Sequence, residues 1–400
     1  MNNAEIKLNI MQQDSLPVPN DTALTNLYAL VQHITQKITE SGGWLPFDRH
    51  MELTLYTPGL GYYSSGTVKF GRSPDDGSDF ITAPELTPLF TQTLARPISE
   101  ILSATRTRHI VEFGAGTGKL AAVLLRTLDV LGVKCTRYTI VELSSELREK
   151  QREYIAKTAR KFIRCVQWVD TLPGQVDGVI IGNEVLDAMP VRLFARRDGL
   201  WYERGVAMTD SRFVFADRPL SGTTQPAALA YVPGQHDYVT ETHEAAAAFV
   251  HTVCSVLSRG VVLFIDYGFP AAEYYHPQRT EGTLMCHYRH RAHSNPFLYP
   301  GLQDITAHVQ FSAIKQAALE AGALLLGYTS QAHFLINAGI TDLLAQLDPS
   351  DSVRFLPQAN AVQKLLSEAE MGELFKVIAF YRGFDARLSA FEGGDRSHTL

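Results

Sequence analysis

The run His109-Ile-Val-Glu-Phe-Gly-Ala-Gly-Thr-Gly-Lys-Leu120 leaves this chain few choices of fold. His109 to Phe113 is short, apolar and β-branched, which reads as a buried strand. Gly114, Gly116 and Gly118 then crowd together, with Ala115 and Thr117 between them. From Leu120 apolar residues return at helical spacing, through Val123, Leu124 and Leu128. Strand, glycine turn and helix form the opening unit of a nucleotide-binding α/β sheet. Glycines let the backbone approach a ligand closely, and a helix N-terminus presents free N–H groups.

The spacing narrows the ligand. A dinucleotide fingerprint is G-x-G-x-x-G, and here the turn is one residue shorter. A P-loop needs a glycine where Phe113 stands and Ser or Thr where Leu120 stands. The segment Val111 to Gly118, an acid followed by G-x-G-x-G, resembles the first motif of class I S-adenosylmethionine (SAM) methyltransferases. That resemblance implies cofactor contacts from Glu112, Gly114, Ala115, Gly116 and Gly118, with Glu112 facing the positively charged methionine end. The competing reading is a tight βα turn with no ligand.

Composition excludes some classes. With 400 residues, 45% of them hydrophobic and 20% charged, the chain has the make-up of an ordinary globular protein. A net charge of −6 argues against a nucleic-acid or anionic-membrane partner. Cys135, Cys165, Cys254 and Cys286 are scattered, so neither a zinc site nor a disulfide framework is signalled. No apolar run has the length of a membrane span, and the first residues lack the layout of a secretory or transit signal. The expected compartment is the cytoplasm.

Residues 1–22 read as a flexible tail and 23–105 as a helical N-terminal region. The latter holds helices at Leu24 to Ile38 and Pro88 to Ser103, and between them a Gly- and Tyr-rich loop and an exposed turn, Arg72 to Ser78. From 106 to 400 the pattern is that of a Rossmann-like α/β domain with insertions at about 191–239 and 269–310. Thr136 to Glu142 predicts a second strand and Ser144 to Ala159 a helix. Glu142 either takes both ribose hydroxyls of a nucleotide or caps that helix. Phe162 to Val169 predicts a third strand ending at Asp170, which either reaches the adenine amino group or begins a turn. Val176 to Gly182 predicts a fourth, running into Asn183-Glu-Val-Leu-Asp-Ala-Met-Pro190. Val191 to Pro219 alternates like an antiparallel meander. Thr240 to Ser258 and Gln331 to Leu347 predict helices, and Gly260 to Asp266 and Gly322 to Thr329 strands. Glu368 to Phe375 and Val377 to Tyr381 are expected to close a seven-stranded, mostly parallel sheet.

Taken together, the chain resembles the SAM-dependent methyltransferase family whose mitochondrial member is a complex I assembly factor that dimethylates an arginine of a complex I subunit. The stretches that carry the resemblance are Tyr56 to Ser64, Asp79 to Leu86, Glu112 to Gly118, Gly182 to Pro190, Ile265 to Gly268, Tyr288 to His293 and Pro300 to Val309. It implies the class I methyltransferase fold, SAM as cofactor and a protein arginine as acceptor, possible acceptors including a respiratory complex I subunit.

Methyl transfer needs alignment of donor and acceptor and exclusion of water. A guanidinium stays protonated, and carboxylates can grip it through paired hydrogen bonds. The expected grip is Glu184 and Asp187 beside Asn183, with Glu85; the plainer reading is that Glu184 or Asp187 caps a helix. Asn183 also counts among the expected cofactor contacts. Tyr62 and Tyr63 could cover the cofactor as a lid or simply pack a loop. His287, His290 and His293 have metal-like spacing, but Arg289 and Arg291 interleave with them, so no metal is expected. Instead this segment, with Asp304, Thr306 and His308, is expected to wall the acceptor pocket. The rival functions are an NAD(P)-linked oxidoreductase and a non-catalytic SAM-binding assembly factor.

Overall fold

The computed structural model describes residues 16–64, 81–220, 225–385 and 387–400. The expected turn at Arg72 to Ser78 and most of the expected tail lie outside them. The chain divides into two compact units, one holding Ile81–Leu186, Ala247–Pro270 and Phe311–Leu400. The other holds 16–64, Asp187–Ala246 and Ala271–Gln310.

The first of these units is built on seven strands: β1 (His109–Phe113), β2 (Arg137–Val141), β3 (Val166–Val169), β4 (Val176–Asn183), β5 (Leu257–Phe269), β6 (Leu324–Ser330) and β7 (Phe375–Arg382). They lie in the order β3-β2-β1-β4-β5-β7-β6. Strands β3 through β5 pair in parallel, whereas β7 runs antiparallel to both β5 and β6. The pairing is mostly parallel, as the sequence predicts. Because β1 and β4 are neighbours, with Phe113 beside Gly182, the turns that leave them share one edge. Strand β1 is buried along its whole length, its polar His109 and Glu112 included.

Helix α1 (Pro88–Thr105) starts on proline, its Thr87 cap accepting from the Leu89 N–H at 3.0 Å, and ends at Arg106 in the left-handed region. It buries Leu89, Phe90, Leu94, Ile98 and Leu102 in the core and packs against α2 (Lys119–Val130). Helix α3 (Ser145–Thr158) follows β2 and is capped by the Ser144 hydroxyl.

The other unit has a helix at Asp21–Glu40, with buried Leu24, Leu27, Leu30, Val31, Ile34 and Ile38 at helical spacing. The expected meander is present: Arg192–Arg197, Leu200–Thr209 and Arg212–Pro219 pair antiparallel in succession. Trp44–Pro46 and Tyr238–Thr242 extend the same sheet. A small three-stranded sheet places Met285–Tyr288 between Arg291–His293 and Asp304–Thr306.

Several boundaries differ from expectation. The helix expected from Thr240 begins at Glu244, because Tyr238–Thr242 is a fully buried strand. Its aromatic and β-branched residues suit that pleated site. The helix expected over Gln331 to Leu347 is two, Gln331–Asn337 and Ile340–Ala345, broken where Gly339 takes φ +86°. The third strand starts only at Val166, after a 3₁₀ turn over Arg160–Cys165. A helix at Ser352–Leu366 was not expected, and the closing strand starts at Phe375 rather than Glu368.

Gly178 is where β4 comes close to the backbone of β1. A Cβ there would stand 2.0 Å from the His109 carbonyl oxygen, and its φ of +151° disfavours any side chain. Gly178→Ala should lower stability by about 3 kcal/mol or more, the upper range of core overpacking. Urea unfolding of the two proteins checks this; an unchanged midpoint would mean the sheet has slack that these contacts exclude.

Candidate active site

In open α/β sheets ligands bind beyond the carboxyl ends of the strands. At the end of β1, Gly114 and Gly118 sit at φ +64° and +82°. The turn closes through the Gly118 N–H donating to the Ala115 carbonyl at 2.7 Å. Both glycines are also demanded by space. A Cβ on Gly114 would stand 3.0 Å from Val185 Cγ2, and one on Gly118 3.2 Å from the Gln151 backbone.

Glu112 is buried on β1 and accepts the Tyr138 hydroxyl at 2.6 Å. Burial pushes its carboxyl up to about 7; the Tyr138 bond opposes this and the charge of Glu142 adds to it. Glu142 ends the second strand half-buried. Its carboxylate accepts the Ser144 N–H at 2.9 Å and the Gln151 amide at 3.1 Å. Since the Ser144 hydroxyl takes the Leu147 N–H, Glu142 is not the helix cap. The side chain of Asp170 is exposed and pairs with Arg148.

Glu85 does not stand apart from the glycine turn. Its carboxylate accepts the Thr117 hydroxyl, and Lys119 bonds both its carbonyl, at 2.9 Å, and its carboxylate, at 3.5 Å. An expected guanidinium ligand thus already holds a cation and braces the turn.

The exit of β4 is the most constrained corner. Glu184 has φ +54°, unusual for a residue with a side chain. Its N–H donates to the Ile265 carbonyl at 2.9 Å. The next two N–H groups, of Val185 and Leu186, both go to Asp266 Oδ2, at 3.1 and 2.8 Å. The Glu184 carboxylate receives the Asn183 amide at 2.9 Å and the Ala83 N–H at 3.4 Å. Asn183 Oδ1 is buried and has no hydrogen-bond partner among the described residues.

The sequence-read triplet divides between the units: Asn183 and Glu184 close one, and Asp187 opens the other. There Asp187 is buried, and its carbonyl accepts the Ala307 N–H at 3.0 Å. Tyr63 donates its hydroxyl to both oxygens of buried Asp304 at 3.0 Å and stacks on Tyr56, ring centroids 5.5 Å apart. Tyr56 in turn donates to the Ala188 carbonyl at 2.8 Å. Burial, reinforced by Asp304 and Asp187, drives both phenols above their ordinary range. Tyr62, for which the sequence left a lid and loop packing open, is a core residue, 1% exposed. His287 lies opposite Ala292 and His293 opposite Cys286 in a hairpin, with His290 in its turn. No group of three or more His, Cys, Asp or Glu is placed to hold a metal among the described residues.

One residue that matters here, Gln151, carried no local signal. The Asp266-Tyr267-Gly268 segment stood out in the sequence as a strand end, but its partners lie some eighty positions upstream.

Comparison with known proteins agrees with this arrangement. A family model described as "Putative S-adenosyl-L-methionine-dependent methyltransferase" matches residues 93–329. The crystal structure of a candidate methyl transferase from Burkholderia thailandensis, bound to S-adenosyl-homocysteine, is 62% identical. It covers 96% of this chain and 100% of its own, with a TM-score of 0.94. The mitochondrial protein arginine methyltransferase NDUFAF7 of Danio rerio is 27% identical over 93% of this chain and 91% of its own length. The Homo sapiens protein of that name is 26% identical over 90% and 85%.

The burial of Glu112 has a stability consequence. Its folded pKa of about 7 lies above the ordinary 4.5, so between these values the native state binds the extra proton. Stability from this group is therefore present at low pH and lost as pH rises toward 7, by at most about 3 kcal/mol. Glu112→Gln should remove that slope, leaving the variant relatively more stable at pH 8 than at pH 5. Unfolding midpoints of both proteins across that range check the sign.

Proposed function

Since the chain belongs to the S-adenosyl-L-methionine-dependent methyltransferases, we propose that the methyl group it transfers goes to a guanidinium nitrogen of a protein arginine. SAM is the cofactor, and the glycine turn, Glu112 and Glu142 are the residues proposed to hold it. The turn offers backbone at close range. Glu112, ionised, would face the cationic methionine end. Glu142, open on one side, would accept the ribose hydroxyls.

One observation carries the acceptor assignment. At the exit of β4 a buried amide oxygen with no partner among the described residues, Asn183 Oδ1, stands beside a carboxylate, Glu184, on a constrained backbone. Two acceptors so placed suit a planar cation with several N–H donors. The naming of the Danio rerio and Homo sapiens relatives as arginine methyltransferases supports the same acceptor.

Bound there, SAM supplies an electrophilic methyl on a sulfonium. The acceptor nitrogen would take that methyl and give up one N–H proton to solvent, with S-adenosyl-homocysteine as the other product. The protein's part is to hold the acceptor nitrogen in line and to lower the cost of bringing one cation up to another. Glu184 does the second by accepting N–H bonds from the guanidinium. Asn183 orients Glu184 through its amide N–H and presents its own oxygen as a further acceptor. Asp266 fixes both by holding the backbone that follows. The acceptor protein to test first is a respiratory complex I subunit, and the compartment is the cytoplasm.

Incubation with isotope-labelled SAM and a cell extract, followed by mass spectrometry, should place the label on arginine. Label on another residue or on a small molecule would replace the acceptor assignment. Glu184→Gln should keep SAM affinity within about threefold while transfer falls by about a hundredfold or more. Full transfer by that variant would remove Glu184 from the chemistry.

A further inference from the structure

We propose that Gln151 is a positioning residue for the cofactor, holding the Glu142 carboxylate in the orientation that receives the ribose and locking it to the glycine turn. The proposal rests on the reading of Glu142 as the ribose acid.

Gln151 lies on α3 and is fully buried. Its amide is not reversible. The Trp168 indole N–H can only donate, and it bonds Gln151 Oε1 at 2.9 Å. The amide nitrogen therefore faces two acceptors. One is the Gly116 carbonyl at 3.0 Å, inside the glycine turn. The other is Glu142 Oε2 at 3.1 Å. Both N–H groups and the carbonyl are thereby engaged, and one side chain joins the ends of β1 and β2 to Trp168 on β3.

The effect on Glu142 is geometric. The Ser144 N–H holds Oε1 and Gln151 holds Oε2, so the carboxylate plane is fixed from both oxygens. A carboxylate has about four acceptor sites. Two are used here, which leaves capacity for two ribose hydroxyls. The small size of Gly118 lets α3 come this near: a Cβ at that position would stand 3.3 Å from Gln151 Cβ. Through Gln151 the glycine turn and the residue proposed for the ribose end share one hydrogen-bonded hub.

A merely structural glutamine would affect stability without changing which ligand atoms are sensed. The test therefore measures discrimination. S-adenosyl-homocysteine and its 2′-deoxyribose analogue are titrated calorimetrically into the wild type, Gln151→Met, Glu142→Gln and the double variant. Gln151→Met should weaken S-adenosyl-homocysteine about tenfold or more, as expected for loss of a bond to a charged group. Its preference for the ribose over the deoxyribose form should collapse toward unity. The double variant should bind no more weakly than the weaker single one. If Glu142→Gln loses affinity and preference while Gln151→Met keeps both, Gln151 is not a positioning residue and the Glu142 reading stands. If Glu142→Gln keeps both, the ribose reading itself is at fault, and the role of Gln151 falls with it. Gln151→Glu guards against a folding artefact. It sets carboxylate against carboxylate at neutral pH, and affinity should recover as pH falls and the new acid regains a proton to donate. A flat profile would overturn the proposal.

Discussion

The carboxylate of Asp266 is what the corner at the end of β4 depends on. It accepts the N–H groups of Val185, Leu186 and Tyr267 at 3.1, 2.8 and 2.9 Å. Leaving a buried N–H without a partner costs about 1–3 kcal/mol. A left-handed backbone at a residue with a Cβ costs about 1–2 kcal/mol. The N–H groups of Val185 and Leu186 taken up on Asp266 therefore outweigh the strain at Glu184. The corner also touches the glycine turn, since Val185 Cγ2 is the atom that a Cβ on Gly114 would meet. Residues about seventy positions apart in sequence are thus set at one edge by the pairing of β1 with β4.

What the sequence revealed follows from how local each interaction is. The β1 strand, the glycine turn and α2 are adjacent in sequence and state their geometry in residue type alone. The two-residue break at Ala338-Gly339 is harder to see, because apolar spacing continues across it and the φ of +86° at Gly339 marks where the helix ends. The strand at Tyr238–Thr242 is hard to read from sequence, since its burial comes from pairing with Arg192–Arg197, far upstream. At the site, the Asn183–Glu184 corner was legible because polar residues in a strand exit demand explanation. Gln151 was not legible: a glutamine in a helix otherwise rich in charged residues reads as surface. Its burial depends on Gly116, Glu142 and Trp168, each nine or more positions away.

A buried acid also organises the other unit. Glu241 is fully buried and accepts the N–H groups of Thr283 and Leu284 at 2.7 and 3.0 Å and the Tyr274 hydroxyl at 2.7 Å. Burial raises its pKa, and these bonds pull it back. Gly282 makes room, since a Cβ there would stand 2.4 Å from Glu241 Oε1. This one carboxylate ties Asp187–Ala246 to Ala271–Gln310, segments that sequence order separates by a stretch of the other unit. Two insertions that looked independent in the sequence are one structure because an acid in the first satisfies the backbone of the second.

The kind of donor each acid holds decides which of them can serve a cationic acceptor. A neutral N–H or O–H stabilises a carboxylate while leaving its charge in place, whereas a lysine cancels that charge. Glu184 receives an amide and a backbone N–H, and Glu142 likewise. Glu85, by contrast, has the Lys119 ammonium, itself only 14% exposed, against its carboxylate and carbonyl. By sequence Glu184 and Glu85 both belong to the expected guanidinium grip, Glu184 first and Glu85 as an addition. A second cation at Glu85 would have to displace Lys119 and with it a brace of the glycine turn. Glu85 is thereby committed to the turn, and the acceptor reading rests on the Asn183–Glu184 corner rather than on the count of acids nearby.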